Sequence, residues 1–331
     1  MSHAIGARRR QRRARARVGE SEGRSPSGKT RAMVWVKRGL IIQPAQQAPW
    51  IGTHAALPVV QRIDQCDRVY FSSRDPAGRS HIGYADVSLE RADLLSVAPA
   101  PVLSPGRLGA FDDAGVTSSC LIDHGHRIYC FYTGWTLGKS VPFYLNAGLA
   151  CSDDGGLTFE RVSPAPLLDR SAVDPYLTAS PWVIVEGGTW RMWYVSGTEW
   201  TETSDGPRHR YLIKYAESRD GLRWERTGIV CLDYRSEEEF AFGRPCVLHD
   251  GNLYRMWYSY RGSCYRIGYA ESADGIAWTR QDSSNVVPPS SSGWDSEMTT
   301  YPVVVRRGEH LYMLYNGNGY GRTGIGLALG A

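Results

Sequence analysis

The sequence predicts an all-β fold: a five-bladed β-propeller of four-stranded antiparallel blades, its ring closed by an N-terminal strand. Two observations predict it. A four-residue pattern recurs five times, as IGYA at 82–85, AGLA at 147–150, IKYA at 213–216, IGYA at 267–270 and IGLA at 325–328. Successive copies start 54 to 66 residues apart, the length of one four-stranded unit, and such internal repetition marks stacked architectures. Each copy also follows an aromatic-rich run: RVYFSS (68–73), IYCFYTG (128–134), WRMWYVSG (190–197), YRMWYSY (254–260) and LYMLYNG (311–317).

The elements of one unit follow in order. A first strand ends in a polar turn, as in LPVVQRI (57–63), SSCLIDHGH (118–126), SPWVIVEGG (180–188), RPCVLHDGN (244–252) and YPVVVRRGE (301–309). The aromatic run is the second strand, and its alternation, as in Tyr254, Met256 and Tyr258, favours sheet over helix. The IGYA-like pattern is the third. After three copies comes a turn closed by an aromatic: SDDGGLTFER (152–161), SRDGLRWER (218–226) and SADGIAWTR (272–280). The first fits the Asp-box pattern; Asp and Gly suit a tight turn, and the aromatic is expected to tuck back between sheets as a structural element. The fifth unit ends at its third strand, so Val34–Ile42 is expected to supply the missing outer strand. The expected organisation is a disordered basic tail over 1–32 and one propeller domain over 33–331.

Charge divides the chain in the same way. Residues 1–31 carry ten Lys and Arg against Glu20 and Glu22, which leaves 28 basic and 32 acidic residues elsewhere. The body is mildly acidic and the overall +4 belongs to the tail. RRRQRRARAR lacks aromatics to stack on bases, which argues against nucleic acid as a partner, and lacks the apolar stretch of a secretory signal. No apolar run approaches membrane-spanning length, so no membrane partner is expected and the cytoplasm is the expected location. Seven cysteines without a CxxC pair give neither a zinc site nor a disulfide scaffold. With eight dispersed His and no HExxH, no metal and no cofactor is expected.

Chemistry is expected where the first strands begin, because in a propeller these positions converge on one mouth. The preceding residues are Thr53 and His54; Asp112 and Asp113; Asp174; Glu237, Glu238 and Glu239 with Arg244; and Asp295 and Glu297 with Tyr301. Converging carboxylates cannot all ionise cheaply, so one is expected to become a proton donor beside an ionised partner. That pairing serves glycosidic bond cleavage. The candidate catalytic residues are Asp113, Asp174, Glu239 and Glu297. Arg244 is expected to hold a carboxylate ionised or to grip a substrate anion. Candidate substrate-binding residues are His54, the Arg74–Asp75 pair, Trp135, Arg244 and Tyr301, with aromatic faces stacking on sugar. For Trp193, Trp224, Trp257 and Trp278, packing between blades is the better reading.

The five MWY-like and IGYA-like repeats, the DG–aromatic turns and the acids before the first strands resemble the five-bladed glycoside hydrolase propellers. These are the arabinanases, β-xylosidases, invertases and levansucrases, with the related mannoside phosphorylases. The resemblance spans about residues 34–331. It implies a carbohydrate substrate and three central carboxylates: an Asp from the first blade, an Asp from the second or third, and a Glu general acid. Asp113 or Asp174 matches the second of these and Glu239 matches the general acid. The sequence departs from the pattern in the first unit, where Trp50-Ile51-Gly52-Thr53-His54 holds no carboxylate. Either Asp113 or Glu297 takes that role, or His54 is the base, or the protein binds glycans without cleaving them. A glycosidase is the expected function. Its alternatives are a non-catalytic carbohydrate-binding propeller and a phosphorylase or transferase of the same fold.

Overall fold

The computed structural model describes residues 33–44 and 48–330. The expected basic tail over 1–32 lies outside the described residues. Strand β1 (Trp35–Ile42) comes first. Then follow β2 (Ala56–Ile63), β3 (Cys66–Arg74), β4 (Ser80–Ser88) and β5 (Asp93–Val97), an antiparallel meander. A second meander holds β6 (Gly115–His124), β7 (Arg127–Leu137), β8 (Phe143–Ser152) and β9 (Glu160–Arg161). The third is β10 (Leu177–Glu186), β11 (Thr189–Thr203) and β12 (Gly206–Ser218), with β13 (Trp224–Glu225) and β14 (Val230–Leu232) both on β12. The fourth is β15 (Ala241–Asp250), β16 (Leu253–Arg261), β17 (Tyr265–Ser272) and β18 (Thr279–Arg280). The last is β19 (Thr300–Arg307), β20 (His310–Asn316) and β21 (Ile325–Gly330). β1 adds to the free edge of β21, antiparallel, from Trp35 opposite Gly330 to Ile42 opposite Ile325. The described residues are all-β apart from one helical turn at Asn318–Gly321. Among the described residues no helix is long and apolar enough to cross a membrane.

Adjacent meanders barely share hydrogen bonds; single parallel bridges, Ser80 with Gly115 and Tyr211 with Ala241, join two pairs of them. What joins them is apolar packing. The middle of each third strand is buried on both faces, as in Ile267–Ala270, so each sheet must be covered from both sides. The core accordingly forms clusters that straddle neighbours. Tyr70 and Ile82 pack with Val116 and Tyr132, and Cys120 and Phe131 pack with Val183 and Met192. Trp193 and Tyr215 pack with Val247 and Met256. Trp257 and Tyr269 pack with Val303 and Met313 in a cluster that also takes in Val69 and Phe71 of the first meander. First strands follow the same order, β2 beside β6, β6 beside β10, β10 beside β15, β15 beside β19, and β19 beside β2.

The repeated motifs have physical reasons. In the IGYA-like pattern the glycine is where an aromatic ring crosses the third strand. A Cβ on Gly83 would lie 2.3 Å from the Trp50 ring, and one on Gly326 2.1 Å from Trp294. The third unit has no ring there and carries Lys214 instead. The DG turns close on their own acid: the Asp154 carboxylate accepts from the Leu157 and Thr158 amides and the Thr158 hydroxyl. They also dock on the preceding meander, since the Trp193 indole donates to the Gly275 carbonyl and the Tyr70 hydroxyl to that of Gly156.

Candidate functional site

A cavity of about 410 Å³ opens where the first strands of the five meanders meet. Each supplies a residue to its wall: Leu57 from β2, Thr117 from β6, Ser180 from β10, Arg244 from β15 and Tyr301 from β19. Leu57, Ser180, Arg244 and Tyr301 all have left-handed backbone, with φ of 56°, 47°, 52° and 53°. Each precedes a proline and sits in a β-bulge. Such conformations cost on the order of 1–3 kcal/mol apiece and persist only when the surrounding structure imposes them. Here the bulge turns the residue before proline toward the axis.

The remaining wall comes mostly from the ends of second and third strands: Arg74, Thr133, Trp135, Phe143, Leu145, Val195, His209, Tyr211, Arg261 and Tyr265, with His54 and Tyr320. Among the described residues no Asp or Glu lines this cavity. Of the residues expected to bind substrate, His54, Arg74, Trp135, Arg244 and Tyr301 come together here. Asp75 does not. Its carboxylate accepts from Arg79 and meets His81 in the adjoining turn.

The four expected catalytic acids are not brought together. Asp113 accepts the Gly109 amide at 2.9 Å in its own loop. Glu297 is exposed. Asp174 is fully buried, with the Tyr194 hydroxyl at 3.1 and 3.2 Å, Arg226 at 2.9 Å and Lys214 at 3.4 Å. Glu239 receives both terminal nitrogens of Arg280, at 2.7 and 2.9 Å, and the Arg235 amide. Burial opposes its ionisation, but Arg280 and Arg235 outweigh that and hold the carboxyl below the usual glutamate range. A proton donor needs the opposite shift.

Asp174 and Glu239 belong to a repeated clamp. In the second meander Asp112 accepts from Tyr132 at 3.0 Å and Arg161 at 2.7 Å. In the fourth, Arg280 bridges Glu239 and Asp282, and the Tyr258 hydroxyl donates to Asp282. In the fifth, Asp295 accepts from Tyr315 at 2.9 Å and from Lys37 of β1 at 2.7 Å. The tyrosine always comes from the second strand, and the outermost strand or the residue after it supplies a cation. The first meander lacks all three members: Ile51 stands in the acid's place, Phe71 in the tyrosine's and Val97 in the cation's, and the Trp50 ring lies tilted against Phe71 at 5.1 Å. The missing first-unit carboxylate is thus one absence in a correlated set.

Sequence reasoning missed Arg261, His209, Tyr211 and Tyr265. Arg261 was findable, since FSSR at 71–74 and YSYR at 258–261 occupy the same place in their repeats. Arg244 is 1% exposed. It donates to the carbonyls of Ser118, Ser119 and Pro58, tying β15 to β2 and β6 across the axis rather than pairing with Glu239. Burial lowers its guanidinium to about 10, still charged at neutral pH. His54 is pushed down to about 4 by burial, then by Arg74 and Arg322. His209 falls to about 4 through burial, Arg261 and Arg208. Both imidazoles are neutral at pH 7 beside cations.

Among the described residues no group of three or more His, Cys, Asp or Glu is arranged to hold a metal. GYGRTG at 319–324 matches the dinucleotide-loop letters but is the turn between β20 and β21, without the helix that motif requires. GRSPSGKT at 23–30 matches the phosphate-loop letters and lies outside the described residues.

Two proteins of Mycobacterium tuberculosis align over 299 residues, 90% of this chain and 99% of their own length. "Uncharacterized protein MT1551" of strain CDC 1551 / Oshkosh is 42% identical. "Uncharacterized protein Rv1502" of strain ATCC 25618 / H37Rv is 41% identical. The chain belongs to their family. No family model matches this member of the MT1551 and Rv1502 family. Solved structures are more distant. A "Glycoside hydrolase" superposes with a TM-score of 0.72 at 18% identity, covering 90% of this chain and 92% of its own. A glycosyl hydrolase from Bacteroides ovatus gives 0.69 at 13%, covering 90% and 94%. A thermostable family-43 glycoside hydrolase gives 0.65 at 16%, covering 84% and 89%. At these identities the likeness is one of fold, and the family has the glycoside hydrolase fold.

Proposed function

We propose that the chain is a five-bladed propeller closed by β1, and that its central cavity binds a carbohydrate without cleaving it by paired carboxylates. The straddling clusters and the β1–β21 pairing support the ring. So does Lys37, which plays for Asp295 the part that the outer-strand arginine plays in other blades. One observation carries the functional reading: a wall with hydroxyls and aromatic faces, Thr117, Thr133, Ser180, Trp135, Tyr265 and Tyr320 among them, has no carboxylate. Both mechanisms of glycosidic cleavage need two carboxyl groups flanking the anomeric carbon, roughly 5–9.5 Å apart. Asp112, Asp174, Glu239 and Asp295, which precede the first strands, are engaged by tyrosine, arginine or lysine. What remains in the cavity suits sugar recognition, with rings to stack on and hydroxyls to hydrogen-bond.

The test pairs titration calorimetry on a mono- and disaccharide panel with a turnover assay on the matching aryl glycosides. Binding without turnover is expected. Turnover that falls by about 10²–10⁴ in a folded Glu239→Gln or Asp174→Asn protein would overturn the reading.

A further inference from the structure

We infer that the carbohydrate carries an anionic group, a carboxylate or a phosphate, and that Arg74 and Arg261 hold it; this rests on the binding reading above. The charge of the cavity is one-sided. Among the described residues Arg74, Arg244 and Arg261 line it and no acid does. Arg244 is committed to three carbonyls, which leaves the other two. Among the described residues neither Arg74 nor Arg261 has a carboxylate within 4.0 Å. That is unusual in a body where acids outnumber bases and where Arg161, Arg226 and Arg280 each find an acid.

The two arginines are held by rings instead. Arg74 lies over Trp135 at 5.9 Å, and Arg261 over Phe240 at 5.1 Å and Tyr265 at 5.5 Å. Aromatic faces fix a guanidinium without using its N–H groups, which stay free for a planar, bidentate acceptor. Arg244 Nε and Arg261 Nε, both on cavity-lining residues, are buried without a partner, so the chain compensates neither guanidinium fully and the potential in the cavity favours an anion. Arg74 is exposed and Arg261 half-buried, which places one cation at the mouth and one in the wall.

The test measures the affinities of glucose, galactose and mannose against their uronates and 6-phosphates, with inorganic phosphate as the sugar-free probe. The proteins are wild type, Arg261→Met, Arg74→Met and Arg261→Lys. At least one charged sugar is expected to bind about 10- to 100-fold more tightly than its neutral parent. Both Met variants should reduce that ratio, and Arg261→Lys should restore part of it. Uronate and 6-phosphate arms identify which anion is read. Should Arg261→Met fail to fold because its ring contacts are lost, Arg74→Met, at an exposed position, still decides. Equal affinity for charged and neutral sugars, or a ratio unmoved by Arg74→Met, would overturn this inference and leave carbohydrate binding standing. Inorganic phosphate binding as tightly as every sugar phosphate would keep the anion site and overturn the carbohydrate reading.

Discussion

Replacing Asp174 by Asn tests whether the buried acids are clamps or catalysts. The carboxylate is fully buried, with Arg226 at 2.9 Å and Lys214 at 3.4 Å. Asparagine keeps the shape and still accepts from Tyr194, so the substitution removes charge alone. It leaves two cations facing a neutral amide, and Lys214 is itself only 6% exposed. Breaking a buried pair costs about 3–5 kcal/mol. The lower end applies, because the Arg226 side chain retains 18% exposure and regains some hydration. A melting temperature moves by roughly 2–4 °C per kcal/mol in domains of 150–250 residues, so about 3 kcal/mol lowers it by on the order of 6–12 °C. Urea unfolding and calorimetry at pH 7 measure this, with the exposed Glu297→Gln as a control expected within about 0.5 kcal/mol of wild type. A double-mutant cycle with Arg226→Met should return a coupling of about 0.5–3 kcal/mol. An Asp174→Asn protein as stable as wild type would refute the clamp and restore this acid as a candidate for chemistry.

Lys37→Met should cost about 2–3 kcal/mol in urea unfolding, because it strands the buried Asp295 carboxylate. Deleting residues 1–44 should give aggregated protein on size-exclusion chromatography, since the β21 edge is then unpaired. Gly326→Ala should destabilise by at least about 1–3 kcal/mol, because its Cβ would fall 2.1 Å from Trp294. His54 and His209 have folded values of about 4 against 6.5 for free histidine, so the unfolded chain protonates first. Their contribution is therefore intact above pH 6.5 and is lost as pH falls toward 4; melting temperatures across that range should drop less steeply in His54→Gln. An anion beside these imidazoles raises their pKa, so binding should take up protons and tighten as pH falls, which calorimetry in buffers of different ionisation enthalpy measures.

The strands and their order were legible because the repeat is physical. A glycine recurs wherever a ring must cross the third strand, and an aromatic run wherever a strand is buried on both faces. The site was half legible. That the first strands converge on one cavity follows from the repeat, and it located His54, Arg74, Trp135, Arg244 and Tyr301. Which residue of each approach faces the axis did not follow, because a shift of one residue sends a side chain to the other face of a strand. The acids lie one bend too early and turn into the blades, while the residue before proline faces the cavity. Leu57-Pro58, Ser180-Pro181, Arg244-Pro245 and Tyr301-Pro302 carried that information in the letters. Reading it required knowing that a bulge with left-handed backbone precedes each proline.

The clamps and the cavity are two answers to one electrostatic problem. A cation from the outermost strand, or the residue after it, pairs directly with an acid before the first strand, while a second-strand tyrosine bonds the same acid or, in the fourth meander, Asp282. Among the described residues, Arg74 and Arg261 at the cavity are then left without a carboxylate partner. The first meander marks the division: it has Ile51 and Phe71 in place of the acid and tyrosine, and its own arginine at the cavity, Arg74, finds no acid among the described residues. Stability resides in the blade walls and offsets the cost of four left-handed residues around the axis. Those residues set which side chains face the cavity. On the proposed binding reading, two arginines meet an anionic sugar there because the carboxylates before the first strands lie within the sheets.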